Sequence, residues 1–269
     1  MEGTAGKDMT VLNRYKIFLL VLVLVLSSLA GMAQDIYMYR SRIYDSYARG
    51  EMSGWRTAIE EMEREYERSG SEDLLHELVL SQYGFIGYCL KEDMKNEASY
   101  HLDRAVNNLE ILKASRPGSA ELMALEGACM GYEMGMHKLK AMVLGPKAKE
   151  KIDGAVEKDP NTIRTLLEKA NQLNFSPRIV GGNREEAIEY YKKVISLIEA
   201  DTKNLRKNWI YVNTVVVLAF AYEQLGSNAH ACALYEKLIE YDSNIKWVKE
   251  DLYSDCQDKS GSTTRGIKQ

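Results

Sequence analysis

Apolar side chains recur every three or four positions along almost the whole chain after Gln34. This spacing is typical of amphipathic α-helices, whereas half-buried strands would alternate apolar and polar residues. The helical segments come in pairs, each joined by a short polar or glycine-containing break. The pattern predicts helix hairpins at residues 35–69, 73–115, 119–158, 162–199 and 208–241, with a final helix near 245–255 and a polar, disordered tail.

The second helices of these hairpins share one spacing of residue types. An alanine is followed four positions later by a bulkier residue and three positions after that by a small or aliphatic one. Such positions lie on one face of a helix, so each triple predicts a packing ridge. The spacing occurs four times, at Ala98/Leu102/Ala105, Ala148/Ile152/Ala155, Ala187/Tyr191/Val194 and Ala231/Tyr235/Leu238.

The last hairpin resembles a tetratricopeptide repeat. Its first helix, its turn and its second helix fit the family at Val215, Leu218, Ala219, Tyr222, Gly226, Ala231, Tyr235 and Leu238. An earlier repeat fits at Leu125, Ala128, Cys129, Tyr132, Ala148, Ile152, Ala155 and Pro160, and the next begins with Leu166, Ala170 and Leu173. The resemblance covers residues 112–245 well and 35–111 more loosely. It implies an all-α fold, a right-handed α-solenoid of stacked antiparallel helix hairpins.

The ridge alanines are further apart than the family period of about 34 residues, so the connections carry insertions. One insertion is FSPRIVGGN, residues 175–183. A phosphate-binding loop would need Lys-Ser or Lys-Thr after its glycines and a strand before them, whereas here Asn-Arg follows and a helix precedes. We therefore interpret it as a connection in which Pro177 ends one helix and Gly181 or Gly182 turns the chain into the next. VLGPKAKEK, residues 143–151, is interpreted as the matching insertion one repeat earlier.

A stripe of small residues runs along the helix expected between residues 119 and 136. It consists of Ala124, Ala128, Gly131 and Gly135. Small side chains let helix backbones approach one another, so the stripe predicts close helix packing at the middle of the stack.

The N-terminus has the pattern of a secretory signal peptide. Arg14 and Lys16 precede an uninterrupted apolar run at residues 17–26, and small residues follow. The run is shorter than a typical membrane-spanning helix. We therefore expect cleavage after Ala33 or Ala30; the alternative is that the segment is retained as an anchor. We expect an exported chain, periplasmic or secreted, without stable membrane insertion after cleavage. Its parts would be a signal peptide (1–33), an N-terminal hairpin (34–72), tetratricopeptide-like repeats (73–245) and a capping helix with a disordered tail (246–269).

Charge and candidate chemistry narrow the function further. With 35 Lys and Arg against 39 Asp and Glu, the chain as a whole carries a net charge of −4, which gives neither nucleic acid nor an anionic membrane an obvious electrostatic partner. The four histidines lie on different segments without metal-ligand spacing, and we expect no metal, no cofactor and no catalytic residue. The spacing of Cys89, Cys129, Cys232 and Cys256 favours buried free thiols over a disulfide framework, although export permits disulfides.

The family resemblance implies that the first helix of each repeat lines a concave face that contacts ligand between the packing residues. On this chain those positions are Met123, Glu126, Met130, Glu133, Arg164, Leu167, Asn171, Asn174, Asn213, Val216, Phe220 and Glu223. The amides of Asn171 and Asn174, one helical turn apart, would suit a peptide backbone. The resulting hypothesis is a non-catalytic scaffold that binds a protein or peptide segment in an envelope assembly. The alternative is an accessory subunit of a solute transporter that associates with a substrate-binding protein or holds an apolar ligand.

Overall fold

The computed structural model describes residues 36–265, apart from the side chains of residue 204 and residues 260–265. The chain divides into two compact units, residues 1–41 and residues 42–269. Of the first unit only residues 36–41 are described, and they are helical. The predicted signal peptide, residues 1–33, lies outside the described residues.

The described part of the second unit consists of helices and their connections, without a strand. Five hairpins follow one another: α1 (42–49) with α2 (Ser53–Ser69), α3 (Glu72–Lys91) with α4 (Lys95–Ser115), α5 (Ala120–Met136) with α6 (Ala141–Lys158), α7 (Ile163–Phe175) with α8 (Arg184–Glu199), and α10 (Trp209–Gln224) with α11 (Asn228–Tyr241). A short helix, α9 (Thr202–Leu205), precedes the last hairpin, and a π-helical segment (Val248–Tyr253) and α12 (Ser254–Arg265) follow it. The prediction of an all-α solenoid of stacked hairpins is confirmed.

The four predicted ridges form the packing surfaces of the second helices. All twelve of their side chains are buried, and Ala187 and Ala231 are completely so. Each of these helices packs against the first helix of its own hairpin, and the stack continues from α4 to α5, from α5 to α7 and from α8 to α10. A hairpin with one apolar face cannot cover that face alone, so its neighbours supply the missing half of its core.

Short polar side chains fix where several helices begin. The side chains of Ser71, Ser119, Asn183 and Asn208 accept hydrogen bonds from backbone N–H groups in the first turns of α3, α5, α8 and α10. The first N–H groups of a helix have no partner within the helix, and a capping oxygen satisfies one of them.

The connection between α7 and α8 turns the chain as expected. Ser176 is extended before Pro177, and Gly181 adopts a left-handed backbone with φ 97°. Gly182 is needed for a different reason, since a Cβ at this residue would lie 1.9 Å from the carbonyl oxygen of Ser176. The backbone N–H of Asn183 then donates to the carbonyl of Leu173 over 2.9 Å and fixes the start of α8. The glycine pair is therefore a helix connection.

The preceding connection differs from the expectation. Residues 143–151 do not form an insertion loop, because they lie within α6, and the chain turns instead at His137 and a short 3-10 helix, Lys138–Lys140. Pro146 lies inside α6 and lacks the N–H that would bond to the carbonyl of Met142. The first two turns of α6 are largely exposed, where water can replace that bond.

The prediction of close packing along the small-residue stripe is wrong for its two glycines, although Ala124 is completely buried. A Cβ at Gly131 or Gly135 would meet no atom within 4 Å, so these glycines face open space. The close approach is at Gly127, where a Cβ would lie 3.0 Å from the carbonyl oxygen of Ala148 and 2.7 Å from Cγ1 of Ile152. The backbones of α5 and α6 therefore meet beside the predicted stripe, about 60° around the axis of α5 from Ala124.

The first and last hairpins of the second unit are in direct contact. The hydroxyl of Tyr44 on α1 donates to Asp242 after α11 over 2.7 Å. Nε1 of Trp247 donates to the carbonyl of Tyr47 over 2.9 Å. The rings of Trp55 on α2 and Trp209 on α10 meet edge to face with centroids 4.9 Å apart. These contacts join residues up to 200 positions apart.

The C-terminal segment differs from the expectation in two ways. Cys232 on α11 and Cys256 on α12 form a disulfide, whereas Cys89 and Cys129 are the buried free thiols that we expected. The chain also stays helical through Arg265, beyond the predicted end near 255 and into the predicted tail. The disulfide ties α12 to α11 and so supports a helix whose sequence has little apolar periodicity. Within residues 36–265, no helix is both long enough and apolar enough to cross a membrane.

We expect Gly182→Ala to lower the free energy of unfolding by about 1–3 kcal/mol, because the new methyl group would force the backbone carbonyl of Ser176 to move. The matched control is Gly131→Ala on α5, which should raise stability by about 1 kcal/mol, since alanine favours the helix and meets no neighbour. Urea denaturation followed by circular dichroism measures both. Equal effects of the two substitutions would contradict the turn geometry.

Thiol counting should distinguish the two classes of cysteine. Burial raises the pKa of both Cys89 and Cys129 to about 12, so these thiols stay protonated as well as shielded. We expect maleimide to label none of the cysteines in the native protein, two after unfolding in denaturant and four after unfolding with reductant, as counted by intact mass. Four labelled cysteines without reductant would show that Cys232 and Cys256 are not bonded.

Candidate functional site

The structure separates the twelve predicted concave-face positions into three groups by exposure. Arg164, Leu167, Asn174 and Val216 are buried, and Phe220 is exposed. The remaining seven are partly exposed: Met123, Glu126, Met130, Glu133, Asn171, Asn213 and Glu223. In this structure the four buried side chains contact other parts of the protein and are not open to a ligand.

A buried polar cluster occupies the inner side of α7. Arg164 pairs with Glu168 over 2.9 Å, and both side chains are almost completely buried. Glu168 also accepts hydrogen bonds from the Tyr83 hydroxyl on α3 and from Nδ2 of Asn171, each over 3.0 Å. The Tyr191 hydroxyl on α8 donates to Oδ1 of Asn171 over 2.8 Å. The cluster joins α3, α7 and α8.

The amides expected to hold a peptide backbone are used inside the protein. Nδ2 of Asn171 donates to both Glu168 and the Tyr83 hydroxyl, and its oxygen accepts from Tyr191. The oxygen of Asn174 accepts from Nε of Arg184 over 3.2 Å. An amide has two N–H donors and one acceptor oxygen, so Asn171 has no N–H left for a peptide.

The buried environment and the nearby charges shift the pKa values of the ionisable side chains in this cluster. Burial, followed by the nearby Glu168 carboxylate, raises the pKa of Tyr83, Tyr132 and Tyr191, so their hydroxyls stay neutral donors. Burial alone would lower the pKa of Arg164, but the charge and hydrogen bond of Glu168, together with Tyr83 and Glu121, outweigh it and the net pKa is raised. Neither the guanidinium nor the phenols exchange protons near neutral pH. The cluster joins three helices through these hydrogen bonds and the ion pair.

Most remaining polar positions on the predicted face also have internal partners. Glu126 lies 3.0 Å from both Lys113 and Lys151; burial would raise its pKa, but the two ammonium groups lower it overall. Glu133 pairs with Lys140. Asn213 accepts from the Tyr47 hydroxyl over 3.3 Å, and Glu223 accepts from the Tyr235 hydroxyl over 3.0 Å. Met123 packs against Gly154, where an added Cβ would lie 2.8 Å from its methyl group.

The predicted concave face still has exposed apolar side chains for contact with a partner. Met130 in the second half of α5 is partly exposed, and Phe220 near the end of α10 is 41% exposed. Leu225, directly after α10, and Phe175, at the end of α7, are also exposed and were missed by the sequence analysis. Their signal was an apolar residue at a helix end beside a Gly or Ser-Pro break. We call Met130, Phe220 and Leu225 the first-helix rim, because each lies toward the C-terminal end of a first helix.

We expect the protein to be much less stable when the buried ion pair between Arg164 and Glu168 is broken. We expect Arg164→Leu to lower the free energy of unfolding by about 3–5 kcal/mol, because it leaves Glu168 charged and buried without its cation. The control is Arg68→Leu, which removes an ion pair with Glu65 whose arginine is 79% exposed; we expect a loss below about 1 kcal/mol. Chemical denaturation compares the two variants. A similar small loss for both would show that the cluster does not hold the helices together.

Comparison with known proteins agrees with the repeat pattern. The tetratricopeptide repeat model matches residues 181–201 and 213–245, the α8 region and the α10–α11 hairpin. Among solved structures, the HusA haemophore from Porphyromonas gingivalis is similar, with 15% identity and a TM-score of 0.46, over 68% of this chain and 92% of that one. A search of curated proteins found no match. The resemblance to tetratricopeptide repeats is therefore supported over residues 181–201 and 213–245.

Proposed function

We propose that this protein is an exported, non-catalytic scaffold that binds a protein segment in an envelope assembly. The observation that carries the proposal is the pair of tetratricopeptide matches over the α8–α11 region. Stacked helical repeats of this kind are typical protein-interaction scaffolds, and their binding surfaces come from the stacking itself. The polar clusters inside the stack are fully used in internal contacts, which supports a binding role rather than a catalytic one.

The proposed contact surface is narrower than the twelve predicted positions. The first-helix rim supplies exposed apolar side chains, and Phe220 is its aromatic member. Aromatic residues at interfaces often carry much of the binding energy, since they bury a large area with few rotatable bonds. We therefore expect a partner segment that presents an apolar side chain to Phe220.

Export is supported by two independent features. The N-terminal pattern of residues 14–33 is typical of a signal peptide. The disulfide between Cys232 and Cys256 fits an oxidising compartment, because cytosolic proteins usually keep their thiols reduced.

Of the two forms of the transporter-subunit alternative, the one that holds an apolar ligand needs an interior space. At the level of Tyr83, Tyr132 and Glu168, the inner sides of α3, α5 and α7 are filled by side chains in mutual contact. The contacts in the described chain thus favour a partner bound at the rim over a ligand held inside.

A photoreactive residue can test the partner surface directly. We expect p-benzoylphenylalanine in place of Phe220 to cross-link to a discrete protein when intact cells are irradiated, because the ring projects from α10. The same substitution at Tyr100 on α4 is the control, since that ring is 53% exposed on a second helix outside the rim. The readout is a mass-shifted band identified by mass spectrometry.

Three outcomes would count against the proposal. Cross-linking of the same proteins from both positions would indicate nonspecific proximity. Absence of adducts at position 220 would remove the rim as a contact surface. An adduct of small-molecule mass would favour the transporter alternative.

A further inference from the structure

The most exposed large apolar side chains of the described chain lie at the turns between α5 and α6 and between α7 and α8. Leu139 is 94% exposed, Ile179 93% and Met142 88%, and Val143 and Val180 are both above 60%. We call these five residues the apolar tips. Apolar atoms are common on protein surfaces, but whole aliphatic side chains that project almost completely into solvent on adjacent turns are not.

The two turns form one patch. Both connect the first helix of a hairpin to its second helix, and successive hairpins stack in the same orientation, so both turns lie at the same edge of the stack. Gly181 beside the second turn approaches α6, where a Cβ would lie 3.9 Å from Cε of Lys149. Met142 precedes Lys149 on the same face of α6, about 10 Å away along the helix axis. The tips of the two turns are therefore neighbours.

The apolar tips lie among basic side chains. Residues 138–151 contain five lysines and a single acidic residue, Glu150, although the chain as a whole has a net charge of −4. Lys138, Lys140, Lys147 and Lys149 are exposed, and so is Arg178 beside Ile179. Asp153, Glu133 and Glu185 face Lys149, Lys140 and Arg178 and offset part of this charge. The whole-chain charge thus conceals a local basic excess around the tips.

We propose that this edge docks on an anionic lipid bilayer. Aliphatic side chains that project singly from turns insert between lipid headgroups without needing matching pockets, whereas a protein partner would need a cavity for each of them. The surrounding lysines then reach the lipid phosphates, and their long apolar stems cross the interface. The mode is peripheral, since only turns and the first turns of α6 would enter the headgroup region. It is tested separately from partner binding at the first-helix rim, which is probed on α10.

A probe at position 179 tests the docking in the full chain. Cys89 and Cys129 are buried and the other two cysteines are bonded, so Ile179→Cys can be labelled selectively with bimane. The probe is read with vesicles of phosphatidylcholine alone or mixed equally with phosphatidylglycerol, with and without spin-labelled lipid. The control position is Ile111→Cys on α4, which is 49% exposed. This positional readout matters because the apolar run at residues 17–26 could itself hold the chain on vesicles.

We expect a blue shift and quenching by spin-labelled lipid at position 179 with anionic vesicles, weakened by high salt, and neither at position 111. In the labelled background, Leu139→Ser with Met142→Ser should raise the lipid concentration for half-maximal response at least about tenfold, while Val106→Ser on α4 should leave it unchanged. No response at position 179, equal responses at 179 and 111, or an unchanged response in the double variant would overturn the proposal. A shift produced by an acidic polypeptide but not by anionic vesicles would assign the patch to a protein partner instead.

Discussion

The small side chains of the second helices set the distance between helices, and the rest of the stack depends on that distance. Ala98, Ala155, Ala187 and Ala231 are completely buried where a larger residue would separate the helices. At Gly127 even a methyl group would come within 3.0 Å of a neighbouring carbonyl. Helices held this closely leave no room for a ligand along their packed faces. The surfaces that stacking does not use are the ends of helices and the turns, and it is there that we propose binding.

The same closeness explains why the inner side of the repeats is filled. Gly84 on α3 allows Trp55 and Trp209 to approach, since a Cβ there would lie less than 3 Å from both rings. Tyr83, the residue directly before Gly84, reaches Glu168 on α7. The polar side chains on this face of α7 form hydrogen bonds with neighbouring helices instead of with solvent. Buried polar groups that are fully paired in this way specify one arrangement of the helices.

Features that depend on residues close together in the sequence were predictable from the sequence. The ridge triples, the hairpin limits and the turn at Gly181 follow from spacing and backbone preference, and the structure agrees with them. The contacts of Asn171 were not predictable in this way, because Tyr83 is 88 positions distant and nothing near either residue marks the other. The disulfide was missed for a related reason. Cys232 and Cys256 meet only because the chain after α11 turns back through a π-helical segment, which has no clear signal in the sequence.

The two ends of the second unit contact each other at faces that a repeat stack otherwise leaves exposed. A terminal hairpin lacks a neighbour on one side and exposes the face that inner repeats bury. Here the α1–α2 hairpin is bonded through Tyr44 and Tyr47 to the segment that follows α11, and α12 is fixed to α11 by the disulfide. The ends thus cover part of each other's unpaired faces. The exposed apolar side chains on the first-helix rim and the turns lie outside these contacts, and binding is the role that we propose for them.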